Sequence, residues 1–396
     1  MRLHDLTAAG KTVLVRVDLN VPMQAGRVTD ATRIQRVLPT IRHLAEQGAK
    51  VVLLSHFGRP KGEYNPSMSL APLVDALQAH LPEREVRFGV DCIGAAAAEA
   101  VRKAEPGQVV LLENLRFHAE ETLGDALFAR QIAALGDAYV NDAFSCSHRP
   151  HASIYHLPKL LPSFCGLAMQ QEIETLESLF TSPERPLAAV VGGSKVSTKL
   201  ALLEHLVEKV DLLIIGGAMA NTFLCAQGQA MGASLCEAEM LETARSVMAK
   251  AEASGCRILL PIDLVVTRKF SAHAPSMIVA ANAVPEDAMA LDIGPDSLMH
   301  YAQELKQCCT LVWNGPLGAF ETAPFDNATV FLARVVARLT ADGSMKSVAG
   351  GGDTLSALTY GGVGGQFSYL STAGGAFLEW LEGKALPGVE ALQRAA

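Results

Sequence analysis

The stretch LAAVVGGSKVSTKLALLEHL, residues 187–206, runs from an apolar segment through two glycines into leucines at helical spacing. An unbroken apolar run such as Leu187 to Val191 is the pattern of a strand covered on both faces. Strand, tight turn and helix in so short a span form the building unit of a parallel, doubly wound sheet. The same reading sets Lys195 and Lys199 four residues apart on the first turns of the helix. Like charges at that spacing destabilise an isolated helix by roughly 0.2–0.5 kcal/mol, so the pair implies an anion that offsets the cost.

The rhythm recurs along the chain. The first half offers TVLVRV (12–17), KVVLLS (50–55), EVRFG (85–89), VVLLEN (109–114) and AYVND (138–142). The second repeats it with LAAVVGG (187–193), DLLIIGG (211–217), RILLP (257–261), TLVWNG (310–315), KSVAGGG (346–352) and FSYLST (367–372). Helical patterns fill the gaps. In TDATRIQRVLPTIRHLAEQG, Asp30 reads as the cap, Ile34, Val37, Leu38, Ile41 and Leu44 as the buried face, and Gly48 as the stop. The fold class is therefore α/β, with two doubly wound parallel sheets.

The chain has 396 residues, more than one hydrophobic core commonly serves, which predicts two domains of about 150–200 residues. QQEIETLESLFTSPERP (170–186) reads as a connecting helix broken by Pro183 and Pro186, and places the boundary there. The formal charge of −8 argues against a general polyanion binder, which needs a broad basic surface. The eight cysteines contain no CxxC, and adjacent Cys308 and Cys309 suit neither a zinc knuckle nor a redox pair. No run approaches the ~18 apolar residues of a membrane span, and the N-terminus shows no apolar export segment, so a cytoplasmic address is expected.

Ligands of open parallel sheets bind beyond the carboxyl ends of the strands. In the first half those ends carry Arg16, Asp18 and Asn20; His56 and Arg59; Arg116 and His118; and His148 and Arg149. Arg33 joins them from the first turn of a helix, where a cation opposes the helix dipole by about 0.3–1 kcal/mol. Either these arginines pair with acids such as Glu113 and Asp142, or they converge on an oxyanion; several together favour a small phosphorylated acid.

In the second half the strand ends are glycines: Gly192-Gly193, Gly216-Gly217, Gly315, Gly350 to Gly352 and Gly374-Gly375. Glycine lets backbone amides approach phosphate closely. Asp353 and Thr354 behind three glycines suit a magnesium-bridged phosphate tail, although Asp353 also reads as a helix cap. Glu321 is placed to accept from a ribose. GxxxxGK[ST] and GxGxxG are both absent. That absence counts against a nicotinamide dehydrogenase, and the missing export segment counts against a two-lobed solute-binding protein.

Taken in order, RVDLNVP, SHFGRP, LLENLRFH, NDAF…HR, GGSKVSTK, LDIGP, WNGPLGAFE, GGGDT and STAGGAFLEWLEGK resemble the phosphoglycerate kinase family from residue 16 to residue 384. The resemblance implies two Rossmann-like domains: residues 1–170 joined by 380–396, a hinge helix 171–186, and residues 187–379. It implies that Asp18, Leu19, Asn20, Arg33, His56, Phe57, Gly58, Arg59, Arg116 and Arg149 hold the triose acid, 3-phosphoglycerate or 1,3-bisphosphoglycerate. It assigns ADP or ATP with magnesium to Lys195, Lys199, Gly216, Asn314, Glu321, Gly351, Gly352, Asp353 and Thr354, the metal meeting Asp353 and the nucleotide phosphates. Arg33, Lys195 and the Gly374 and Gly375 amides would attend the phosphoryl group in transfer. A monomer that closes about its hinge is the expected form. Ser194, Thr198, Ser145, Ala373, Phe377 and Trp380 depart from the family's usual residues.

Overall fold

The computed structural model describes residues 2–394. Each of the eleven apolar runs forms a strand, a little shorter than the run because residues at its ends already belong to the loops. The chain divides into two compact units, one reaching Glu174 and regaining the segment from Ala385 onward, the other spanning Thr175–Lys384.

The sheet of the first unit is parallel throughout, in the spatial order Val86–Gly89, Val109–Leu112, Lys50–Leu54, Thr12–Arg16, Ala138–Asn141, Ser163–Cys165. The last of these strands is short and escapes the periodicity reading. From Thr12–Arg16 the chain moves to one side, and it later crosses to lay Ala138–Asn141 on the other. The switch point therefore lies between those two strands, where a crevice for ligands opens in such sheets. The helix Thr32–Glu46 buries Ile34, Val37, Leu38, Ile41 and Leu44, the face expected of it. Its cap differs from the expected one: Ala31 is the N-cap, and Asp30 accepts the Thr32 N–H from one residue further out.

The sheet of the second unit runs in the order Arg257–Leu259, Leu212–Ile215, Leu187–Val191, Thr310–Asn314, Lys346–Gly350, Tyr369–Ser371, again parallel. Counted along the chain this is 3-2-1-4-5-6, the dinucleotide-fold order, with its switch point between Leu187–Val191 and Thr310–Asn314. Trp313 is fully buried there in a core with Leu212, Ile214, Leu311, Leu332 and Val336.

Between Leu259 and Thr310 the chain makes an excursion absent from the sequence reading. It forms an antiparallel sheet in which Asp263–Thr267 pairs with Ser276–Ala280 and Met289–Ile293. Leu264, Val266 and Ala290 pack with Leu224 of the helix Ala218–Ala226 into a core of their own.

Candidate functional site

In the first unit the residues at the switch point join across it. Arg33 Nη1 donates to Asp18 Oδ1 and Oδ2 at 3.1 and 2.9 Å and to the Asn20 carbonyl at 3.0 Å. Ser145, beyond the neighbouring strand, donates its hydroxyl to Asp18 Oδ2 at 2.5 Å. Burial works to raise the Asp18 carboxyl, but its neighbouring positive charge and the Ser145 and Asn20 hydrogen bonds hold it below the usual range. Asn20 Oδ1 accepts the Gly58 N–H at 3.0 Å, and Arg116 Nη1 donates to the Gly58 carbonyl at 2.8 Å. Asn114 brackets Phe57 through the amide and carbonyl, while Leu19 is buried with its N–H on Ser55 Oγ. Leu19, Phe57 and Gly58 thus shape the loop with their backbones.

The two acids that could have neutralised the arginines are occupied elsewhere. Glu113 accepts from Ser69, Leu70 and Asn114. Asp142 accepts the Met169 N–H and is pushed up to about 6 by burial. Arg59 has no hydrogen bond or ion pair among the described residues. Among the described residues the side chain of the exposed Arg149 reaches only the His148 ring, at 3.0 Å. Burial and the neighbouring Arg16 lower Arg116 from its ordinary value. Arg59, Arg116 and Arg149 thus lack carboxylate partners among the described residues, and guanidiniums in that state suit an oxyanion.

Arg16 and His118, also at strand ends, do not join these guanidiniums. Arg16 is completely buried, with Nε on Ser153 Oγ at 3.0 Å and Nη2 facing His56 Nδ1 at 3.2 Å. A guanidinium can only donate, so His56 Nδ1 accepts and the ring proton sits on Nε2. Burial holds His56 well below its ordinary value, and it stays neutral with one N–H to offer. His118 turns away to Asp91, 2.8 Å from its Oδ1.

In the second unit the two lysines do not form the stacked helical pair that their spacing predicts. The helix starts at Leu200, so Lys195 and Lys199 occupy the turn before it and are not stacked on a helical face. Lys199 Nζ donates to the Gly192 carbonyl at 2.7 Å, the Asn314 carbonyl at 3.1 Å and Asn314 Oδ1 at 2.6 Å. It thereby ties together the two strands flanking the switch point. Burial lowers Lys199 to about 8, against the opposing pull of Asp353. Lys195 is exposed and forms no side-chain hydrogen bond or ion pair among the described residues. The site of Lys199 depends on glycine: a Cβ on Gly315 would overlap the Gly192 carbonyl and stand 2.8 Å from Lys199 Nζ.

A cavity of about 740 Å³ opens at this point. One end is polar, formed by Gly192, Gly193, Lys199, Gly217, Gly315 and Asp353; the other is lined by Leu235, Phe270, Met289, Leu291 and Phe320, with Glu321 on its wall. Asn314 Nδ2 donates to the Gly350 carbonyl at 2.8 Å, and Thr354 Oγ1 accepts the Gly315 N–H at 2.7 Å, so both residues brace the glycine loops. Gly351 at φ 103° lies against Asn314, and Gly352 opens the helix Gly352–Tyr360. A Cβ at Gly216 would overlap Leu317. Gly374, at φ 54°, precedes the helix Gly375–Leu381. Phe377 lies buried under Gly350, and Trp380 stacks on Phe180 with ring centres 5.5 Å apart.

Periodicity reading missed the apolar wall, most of which comes from the antiparallel excursion. The β-branched residues of DLVVT and SMIVA were the available signal. An apolar slot continuous with a cationic, amide-lined end has the chemistry for a base and its phosphates.

Two doubly wound units, one with an acid-poor guanidinium cluster and one with a nucleotide-shaped cavity at its switch point, define a two-unit α/β phosphotransferase. The family model for phosphoglycerate kinase matches residues 3–384. The chain is 59% identical over 384 residues to phosphoglycerate kinase of Methylobacterium radiotolerans, covering 97% of this chain and 96% of the relative. It is 57% identical over 392 residues to that of Azorhizobium caulinodans, covering 99% and 98%. Among solved structures, phosphoglycerate kinase from Coxiella burnetii superposes with a TM-score of 0.91 at 42% identity, covering 100% of this chain and 99% of the other. The enzyme from Pyrococcus horikoshii gives 0.83 at 31%, with the same coverage. The chain belongs to the phosphoglycerate kinase family, the kinases of a glycolytic phosphoryl transfer. No helix among the described residues is long and apolar enough to cross a membrane.

Proposed function

We propose that the chain carries a phosphoryl group reversibly from the acyl phosphate of 1,3-bisphosphoglycerate to ADP, giving 3-phosphoglycerate and ATP, with the triose acid on the first unit and the nucleotide on the second. The observation that carries this reading is the contrast between the two switch points: Arg59, Arg116 and Arg149 without carboxylate partners among the described residues at one, an apolar-lined cavity reaching Lys199 at the other.

In this reading Arg59, Arg116 and Arg149 take the triose phosphate, and the His56 Nε2–H supports its oxygens. Asp18 and Ser145 fix Arg33 at an angle to meet the transferring group. Lys199 and the glycine amides hold the nucleotide phosphates, Glu321 meets the ribose, and the exposed Lys195 swings onto the group in transfer with the Gly374 and Gly375 amides. Both nucleophiles, a carboxylate and a phosphate, are already ionised at neutral pH, so no general base is needed. The work left to the protein is alignment and charge neutralisation.

Magnesium fits this arrangement. Asp353 presents one exposed carboxylate on the cavity wall beside glycine amides, and magnesium takes one or two carboxylates together with substrate phosphates. Bound there, it would neutralise phosphate charge. We further propose a cytoplasmic monomer whose units close about the helix Leu167–Thr181 to bring the ligands into line and exclude water.

The test is to incubate the protein with 3-phosphoglycerate, ATP and magnesium and trap the acyl phosphate with hydroxylamine. Product that needs all three components supports the reading. Binding of both ligands without product refutes it.

A further inference from the structure

Outside the side chains assigned to either ligand, the first unit brings together three of a different chemistry. Asp91 and Cys92 follow the strand Val86–Gly89, and His118 follows the short turn Leu115–Phe117. One carboxylate oxygen, one thiol sulfur and one imidazole nitrogen from these residues all lie within 4.8 Å of one another. We propose that Asp91, Cys92 and His118 form a binding site for a thiophilic divalent cation of the zinc class, distinct from the magnesium that accompanies a nucleotide.

The donor set selects the ion. Thiolate and imidazole suit zinc and its congeners, whereas magnesium takes oxygen ligands. Bond lengths of about 2.0–2.3 Å place donors about 3.3–3.6 Å apart around a tetrahedral zinc. The Asp91 Oδ1 to His118 Nε2 distance of 2.8 Å has to open slightly and the others to contract by up to about an ångström, within the reach of side-chain rotation. The surroundings pre-position the donors. The His118 ring packs on Phe128 with centres 5.3 Å apart, and Asp91 Oδ1 accepts the Cys92 N–H at 2.6 Å.

Access is one-sided. Cys92 is fully buried, whereas the side chains of Asp91 and His118 are 41% and 27% exposed. A cation therefore enters from solvent past the oxygen and nitrogen donors, meets the sulfur last, and keeps water on its outer face. On binding, the Cys92 thiol proton passes to solvent as the metal–sulfur bond forms. The His118 ring proton moves to Nδ1, leaving Nε2 to ligate, so one proton is released per ion.

The site also lies on the same connection as Arg116, whose Nη1 holds the Gly58 carbonyl two residues before His118. Occupancy at His118 bears directly on the segment that carries that arginine.

The test uses the full chain, titrated with zinc in competition with a chelating dye, and separately with cobalt as a spectroscopic probe. One zinc per chain is expected at micromolar concentration, with a thiolate-to-cobalt charge-transfer band that Cys92→Ser abolishes and Cys309→Ser leaves unchanged. Asp91→Asn and His118→Gln, at partly exposed positions that tolerate replacement, should weaken zinc by roughly 100-fold or more. They carry the test should Cys92→Ser fail to fold. Absence of micromolar zinc binding overturns the proposal, as does affinity that stays within threefold of the parent in both of these variants.

Discussion

Raising the pH from 7 to 9.5 should weaken ADP binding, and the size of the effect follows from Lys199. Its ammonium is enclosed by two carbonyls and the Asn314 side chain, and burial lowers it from 10.5 to about 8. That displacement corresponds to about 3 kcal/mol against the charged form. Nucleotide phosphates placed at the cavity's polar end favour the ammonium and restore its proton affinity. The complex then binds a proton that the free protein has lost above pH 8. Affinity should be flat below that point and fall by roughly tenfold per pH unit above it, reaching about 30-fold at pH 9.5. Calorimetric titration with ADP in buffers of different ionisation enthalpy would read both the affinity and the proton uptake. Lys199→Met should bind more weakly at neutral pH and show no such slope. The same lowered value has a stability consequence of definite sign. Between about pH 8 and 10.5 the unfolded chain still holds the proton that the folded chain has released, so ligand-free stability rises across that window. Affinity that is constant from pH 7 to 9.5, or an unchanged slope in Lys199→Met, would refute the placement of phosphate at this lysine.

Arg33→Ala should abolish turnover in a coupled assay while ADP affinity stays within a few-fold, because Arg33 belongs to the first unit and meets Asp18 and Asn20; parallel loss of ADP binding contradicts the division of labour. Gly315→Ala forces a side chain onto a backbone at φ 102° and into the Gly192 carbonyl; a loss of about 1–3 kcal/mol in stability and at least tenfold in ADP affinity is expected, read by urea unfolding and titration. Arg16→Met leaves the buried Glu121 without its nearby positive charge, Ser153 being hydrogen-bonded to both. Urea unfolding should register a loss of about 3–5 kcal/mol, and a loss under 1 kcal/mol would show that Arg16 does not balance that acid.

Much of this molecule is legible from letters alone. An apolar run such as Val109–Leu112 states its own conformation, because a strand covered on both faces leaves no place for a polar residue. The carboxyl-end rule then points to the loops after those runs, which is how Asp18, Arg33, Arg116 and Asp353 come into view without a structure. The excursion at 263–293 is not legible in the sequence because DLVVT, SMIVA and MALDI show no apolar–polar alternation and are joined by long turns in place of helices, and one of them, Ser276–Ala280, is mostly exposed. With it went the apolar wall of Phe270, Met289 and Leu291.

What the sequence by itself determined is the alternation of strand and helix, and with it two parallel sheets whose polar loops gather at one end. Those features depend on neighbours a few residues apart. Only the tertiary structure decided how each polar side chain is used, because partners are chosen across the fold: Lys199 meets Asn314 at a separation of 115 residues, and Ser145 meets Asp18 at 127. Residues of like type therefore diverge. Lys199 is enclosed by carbonyls while Lys195 faces solvent; Arg16 is buried while Arg149 stands open on the surface; His56 serves the switch point while His118 turns to Asp91 and Cys92. Local pattern sets the backbone, whereas burial and the nearest charge set the chemistry, and both of those arise only once distant strands lie side by side.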